Sequence, residues 1–202
     1  MGKQLKNTMF PYNLMGLCLI YLTSRRGANV LDNGSLRLTG ASCVSAQPLK
    51  FGDDLVNLRK LSELPYQLLH AGRIDELKQE VLGNMEWIVC KIQVTGMKSM
   101  LEDFSACTKQ VDCPEVQLIQ DALLLIWPTV DFMENGIDPS VLCIEMLARL
   151  DFFKGSYPMI DELCKQCEKW CAVWPNPIFT PLCGFFQPPG GPLRTTLTGF
   201  SK

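Results

Sequence analysis

The chain has 202 residues, 47% of them hydrophobic and 20% charged, with a formal net charge of −2. That composition is globular rather than disordered, and it gives no electrostatic reason to expect nucleic acid or an anionic membrane as partner. Ten cysteines are many for this length. Most of them (Cys90, Cys107, Cys143, Cys164, Cys167 and Cys171) fall inside apolar helical patterns, where a free thiol packs as a small hydrophobe.

Residues 1–50 read as a segment of their own. Met9 to Leu22 is an apolar run of fourteen residues, preceded by Lys3 and Lys6 and followed by Arg25 and Arg26. It is shorter than the ~20 residues that span a bilayer. It lacks a signal-peptide cleavage site beyond a lone Ala28, and Lys6 stands where myristoylation wants Ser or Thr. A buried helix or strand is the favoured reading. Asn33-Gly34, between two short apolar stretches, marks a hairpin over residues 29–38. Residues 39–50 are small and polar and read as a connector.

Residues 51–173 read as one all-α domain. Asp53 and Asp54 precede Leu55, Leu58, Leu61 and Leu64, whose spacing shares one helical face. The two carboxylates read as caps and dipole partners rather than as an acid/base pair. Pro65 either opens a second helix at its first position or kinks a single long one. Tyr66, Leu68 and Leu69 are expected on its buried side, with Gly72 as the stop. Ile74, Leu77, Val81 and Leu82 stripe the next helix, and Gly83-Asn84 closes it. Two half-apolar helices joined this tightly form an αα-hairpin that must stack on others to bury its stripe. Leu64, Pro65, Tyr66, Leu69, Gly72, Leu77 and Gly83 are therefore the candidate structural positions.

Met85 to Val94 is apolar on all sides and cannot be typed by period. Ser99 and Glu102 have capping-box spacing ahead of Phe104. Asp112-Cys113-Pro114-Glu115 opens another helix, striped by Val116, Ile119, Leu123 and Ile126, with Pro128 just past its end. Asp138-Pro139 repeats the device before Leu142, Met146, Leu150 and Phe153. Ser156 and Pro158 begin the last helix, which turns Ile160, Leu163, Cys164, Cys167 and Cys171 inward. The sum is about six or seven helices on short connections, an irregular α-solenoid-like bundle of stacked hairpins without a named repeat period. Residues 174–202 change character again. Six prolines between Pro175 and Pro192 forbid a helix, and Leu193 to Leu197 alternates like the first strand of a further domain.

Motifs for chemistry are sparse. Cys164-Lys165-Gln166-Cys167 is a CxxC with Cys171 one turn on, but zinc wants a fourth ligand and no second CxxC pairs with it. A thioredoxin-like motif wants a strand before its helix. Core packing is the favoured reading of these three thiols, ahead of metal or redox work. His70, the single histidine, sits at a helix C-terminus, where it complements the dipole. There is no HExxH, no GxSxG and no GxxxxGK[ST] phosphate loop. Trp87, Trp127, Trp170 and Trp174 read as core anchors rather than base-stacking platforms. No catalytic residue, cofactor site or metal site is assigned.

Gln47-Pro48-Leu49, the run from Asn57 to Arg73, Leu77 to Asn84, Glu145 to Leu150 and Phe186 to Arg194 together resemble the NACHT and WD repeat domain-containing proteins. The resemblance covers residues 47–202; residues 1–46 lie outside it. It implies the helical arm between a NACHT nucleotide-hydrolysing module with its winged-helix region and a WD40 propeller. Residues 174–202 would be a linker and the start of a truncated blade, with Phe200 where Leu-x-Gly-His would place a histidine. The family's ATP-binding residues have no counterpart, so the resemblance implies a partial, non-enzymatic chain with no cofactor of its own; ATP belongs to the absent NACHT module. It implies a cytoplasmic scaffold whose protein partners are the flanking NACHT and WD40 domains, with no nucleic acid or membrane partner. A free-standing helical interaction module is the alternative, and a thiol redox or metal-binding protein the second.

Overall fold

The computed structural model describes residues 47–51, 55–131 and 138–192. The chain divides into two units, Met1–Pro48 and Leu49–Lys202, and the helices among the described residues lie in the second. The apolar run at 9–22, the hairpin at 29–38, Asp53, Asp54 and the strand at 193–197 lie outside the described residues.

Among the described residues of the second unit there are seven α-helices: α1 (Leu58–His70), α2 (Ile74–Leu77), α3 (Met85–Thr95), α4 (Met97–Thr108), α5 (Pro114–Asp131), α6 (Pro139–Leu150) and α7 (Pro158–Val173). A π-helical turn, Lys78–Leu82, prolongs α2, and a 3-10 turn, Asp151–Phe153, follows α6. The described residues contain no strand beyond a single antiparallel bridge between Lys50 and Val56.

α1 starts at Asn57, whose side chain accepts from the Lys60 N–H at 3.0 Å. Leu55 thus precedes the helix and is 57% exposed, and Leu58 is half exposed, so the buried stripe begins at Leu61. Pro65 neither opens nor ends a helix; it lies buried inside a continuous one. Tyr66 departs from expectation. It is 64% exposed, because the 61–64–68 face points elsewhere, and its ring stacks on His70 with centroids 3.8 Å apart. α1 ends in a Schellman motif: Arg73 N–H donates to Leu68 O at 2.9 Å and Gly72 N–H to Leu69 O at 3.1 Å. Gly72 takes φ +67°, which explains the stop.

α3 is buried on almost every side, through Met85, Trp87, Ile88, Val89, Cys90, Lys91 and Ile92. A helix surrounded by protein carries no polar face, so its sequence has no readable period. α4 begins directly after Gly96, at φ +87°. Ser99 is therefore inside the helix, and the capping box expected there does not form. α5 runs through Pro128 to Asp131 instead of stopping before it; near a C-terminus the lost N–H removes one bond without breaking the helix. α6 is capped as its sequence predicts, Asp138 accepting from the Ser140 N–H at 2.8 Å. It ends at Leu150, which leaves Phe153 half-buried in the 3-10 turn rather than on the core stripe.

From α3 to α7 each helix packs on the next, as stacked hairpins do. α7 also reaches back to α3 and α5, so the row closes on itself. Leu61, Leu68, Met85, Ile88, Phe104, Ile119, Leu123, Met146 and Leu163 are fully buried between these helices. The proline-rich segment after α7 lies along α6. Phe185 and Phe186 N–H groups donate to Ala148 O at 3.1 and 3.2 Å, and Gly184 N–H to Asp151 Oδ2 at 2.9 Å. Arg149 donates to Gln187 O at 3.2 Å and covers the Phe186 ring at 5.0 Å.

Candidate functional site

Of the seven candidate positions, Leu64, Pro65, Leu69 and Leu77 are buried. Gly72 has open space around it, so its backbone conformation alone requires glycine. Gly83 is required for a different reason. A Cβ there would lie 2.8 Å from the Lys78 carbonyl oxygen and 3.1 Å from the Met159 side chain. Gly83 N–H closes the π turn on that same oxygen at 2.7 Å. The π turn and the start of α7 therefore meet backbone to side chain, with glycine between them.

That meeting lies beside a cleft of about 670 Å³, between the π turn, the start of α5 and the first half of α7. Two side chains organise it. Glu115 Oε1 accepts from the Met159 N–H at the start of α7, at 3.0 Å, and Oε2 accepts from Lys78 Nζ at 3.0 Å. One carboxylate thus caps a helix 44 residues away and anchors the π turn. Burial works against the Lys78 ammonium, but hydrogen bonds with Glu115 and Cys113 outweigh it and hold its pKa above the ordinary lysine value. Gln166 Oε1 accepts from the Met85 N–H at 2.8 Å, and its Nε2 donates to Gly83 O at 3.2 Å. A single amide thereby satisfies the last carbonyl of one element and the first N–H of the next. Asp75, Gln79 and Glu162 form the exposed rim.

Sequence reasoning placed Glu115 in the first turn of its own helix and Gln166 as a spacer in the CxxC. It missed the long-range role of both. The sequence offered Ser156 at the start of α7, but the helix begins at Pro158 with Tyr157 as its N-cap and no side-chain cap of its own, which leaves the Met159 N–H for Glu115.

The three thiols of the CxxC stretch do not act as a set. Burial pushes the Cys164 thiol up to about 12, with Lys154 partly opposing. Cys167 is hydrogen-bonded to Cys143 of α6, which together with burial holds its pKa well above the ordinary value, and its Sγ lies 3.6 Å from Met85 Sδ. Burial and the nearby Cys143 push Cys171 up to about 11. Groups held in the thiol form are poor nucleophiles. Among the described residues no three His, Cys, Asp or Glu side chains are grouped as a metal site requires. His70 is exposed, its Nδ1 2.9 Å from the Tyr66 carbonyl oxygen.

The chain is 52% identical over 160 residues to mouse NACHT domain- and WD repeat-containing protein 1, and 49% identical over 160 residues to the human protein of that name. The chain belongs to the NACHT and WD repeat domain-containing family. The match takes in 79% of this chain and 10% of either relative, so the chain spans about a tenth of the length of the curated relatives it matches. Human NACHT and WD repeat domain-containing protein 2 is 26% identical over 132 residues, 63% of this chain and 7% of that protein. No protein-family model and no solved structure matches the chain. The stretch of this chain that the structure describes is a helical bundle. Among the described residues no helix is long and apolar enough to cross a membrane.

Proposed function

We propose that this chain is a non-catalytic helical arm of a cytoplasmic NACHT–WD repeat scaffold, coupling a nucleotide-switch module to a propeller. The observation that carries the reading is the set of polar ties between helices distant in sequence. Glu115 joins α5 to the π turn and to α7, and Gln166 joins α7 to the corner between the π turn and α3. Ties of this kind make a stack move as one body, which is what transmitting a rigid-body motion needs. ATP is then the ligand of the NACHT module and not of this chain. Calorimetric titration of the purified chain with Mg-ATP tests this: the expected result is no binding in the micromolar range and no hydrolysis above background. Micromolar binding or turnover would overturn it.

A free-standing interaction module is the second reading. Val173, Phe179 and Leu182 are 81%, 97% and 99% exposed, within ten residues of one another. Large apolar groups this open favour a surface that meets another protein. Affinity capture separates the two readings: recovery of the NACHT or WD repeat modules supports the arm, and recovery of unrelated proteins alone supports the module.

A further inference from the structure

α1 has a gap in its hydrogen-bond ladder. Pro65 has no N–H, so the carbonyl of Leu61, four residues earlier, has no partner within the helix. Leu61 is fully buried, out of reach of water. Lys91 of α3 fills the gap: its Nζ donates to Leu61 O at 2.7 Å. Lys91 is only 2% exposed, rare for a lysine. Its charge is met by Asp103 of α4, with Nζ 2.9 Å from Oδ2. Burial pushes the Asp103 carboxyl up, against the pull of that ammonium. A buried ion pair is a poor way to gain stability, and an apolar pair of similar volume often serves as well or better. Lys91 therefore calls for a reason beyond packing, and the vacant acceptor beside Pro65 supplies one.

We propose that Lys91 is a latch on α1. α1 opens as a unit that turns at Gly72, and the Lys91–Leu61 bond, made to the acceptor that Pro65 vacates, adds to its buried leucine stripe in holding it closed. Arg59, Ser62, Gln67 and His70 make side-chain bonds that stay inside α1 and travel with it. Opening bares the stripe of Leu61, Leu64 and Leu68, which the closed form buries. The latch does not depend on the arm reading.

Native-state hydrogen exchange on the full chain tests this. Lys91→Met is expected to speed exchange of the α1 amides by about tenfold or more while those of α5 to α7 keep their rates. Pro65→Ala gives Leu61 O an N–H of its own, so adding it to Lys91→Met is expected to return most of the lost protection. Lys91→Met paired with Asp103→Leu, which strands no charge, is expected to fold and to show the same confined effect. A uniform rise across all helices, no rise in α1, no relief from Pro65→Ala, or failure of the charge-free pair to fold would each overturn the latch.

Discussion

Gln166 of α7 and Gly83 of the π turn stand 83 residues apart and share a hydrogen bond, Nε2 to O at 3.2 Å. The other end of the same amide takes the Met85 N–H. Both backbone groups belong to buried residues. Gln166→Leu leaves both unpaired and is expected to cost about 2–6 kcal/mol, since each buried orphan costs about 1–3 kcal/mol. Gln166→Glu keeps the acceptor and loses the donor, so it falls between. Urea unfolding followed by far-UV circular dichroism gives the order.

The two glycines separate a conformational cost from a steric one. Gly72→Ala meets no atom but must hold φ +67°, at a cost of about 1–2 kcal/mol. Gly72→Asn is expected to cost less, because asparagine tolerates that region. Gly83→Ala strikes the Lys78 carbonyl oxygen, a backbone atom, and is expected to cost about 1–3 kcal/mol. Shortening Met159 to Ala in the same chain relieves only the side-chain half of that clash. Rescue to wild-type stability by Met159→Ala would contradict the assignment.

Alkaline pH is expected to destabilise the bundle earlier than loss of lysine charge alone would. Cys164, pushed up by burial to about 12, keeps its proton in the folded chain where an unfolded thiol, near 9.0, gives it up. For Lys154, burial opposes the ammonium but hydrogen bonds to Asp151 and Glu168, both at 2.8 Å, raise its pKa above the ordinary 10.5. Both folded values are raised, so both contributions are complete below the unfolded pKa and fade as pH climbs through the folded one. These two contributions are therefore flat below about pH 9 and fall between 9 and 12. Cys164→Ala flattens the first part of that fall, and Lys154→Met the part above 10.5, in melting temperatures taken across the range.

Arg149 holds the proline-rich segment to α6 through Gln187 O and the Phe186 ring. Arg149→Met is expected to leave the helical signal intact while speeding proteolysis within residues 174–192. Mass mapping of the first cleavage locates it, and first cuts inside α6 or α7 would show that the contact secures the helices instead.

Most of the helices could be read from local signals. Asp138-Pro139, Pro114-Glu115 and the Leu61–Leu64 part of the leucine pattern act over one or two turns, and the structure keeps them. The misreadings share one physical origin, competition between neighbouring signals. Ser99 looks like a cap, but Gly96 breaks the chain first. Leu55 extends the leucine pattern, but Asn57 starts the helix after it. Pro128 reads as a stop, yet packing of α5 on α4 and α6 carries the helix past it. The cleft was hidden for a different reason. Glu115, Gln166 and Lys91 each act across 30 or more residues, and nothing in the local pattern of a charged residue says which distant backbone group it will meet.

The Lys78–Leu82 turn is a helix carrying one residue more than α geometry uses. The surplus is spent at a corner, between the last buried residue of α2 and the Asn84 cap of α3. The extra residue shows in one bond: Gly83 N–H reaches back five residues to Lys78 O, where an α-helix reaches back four.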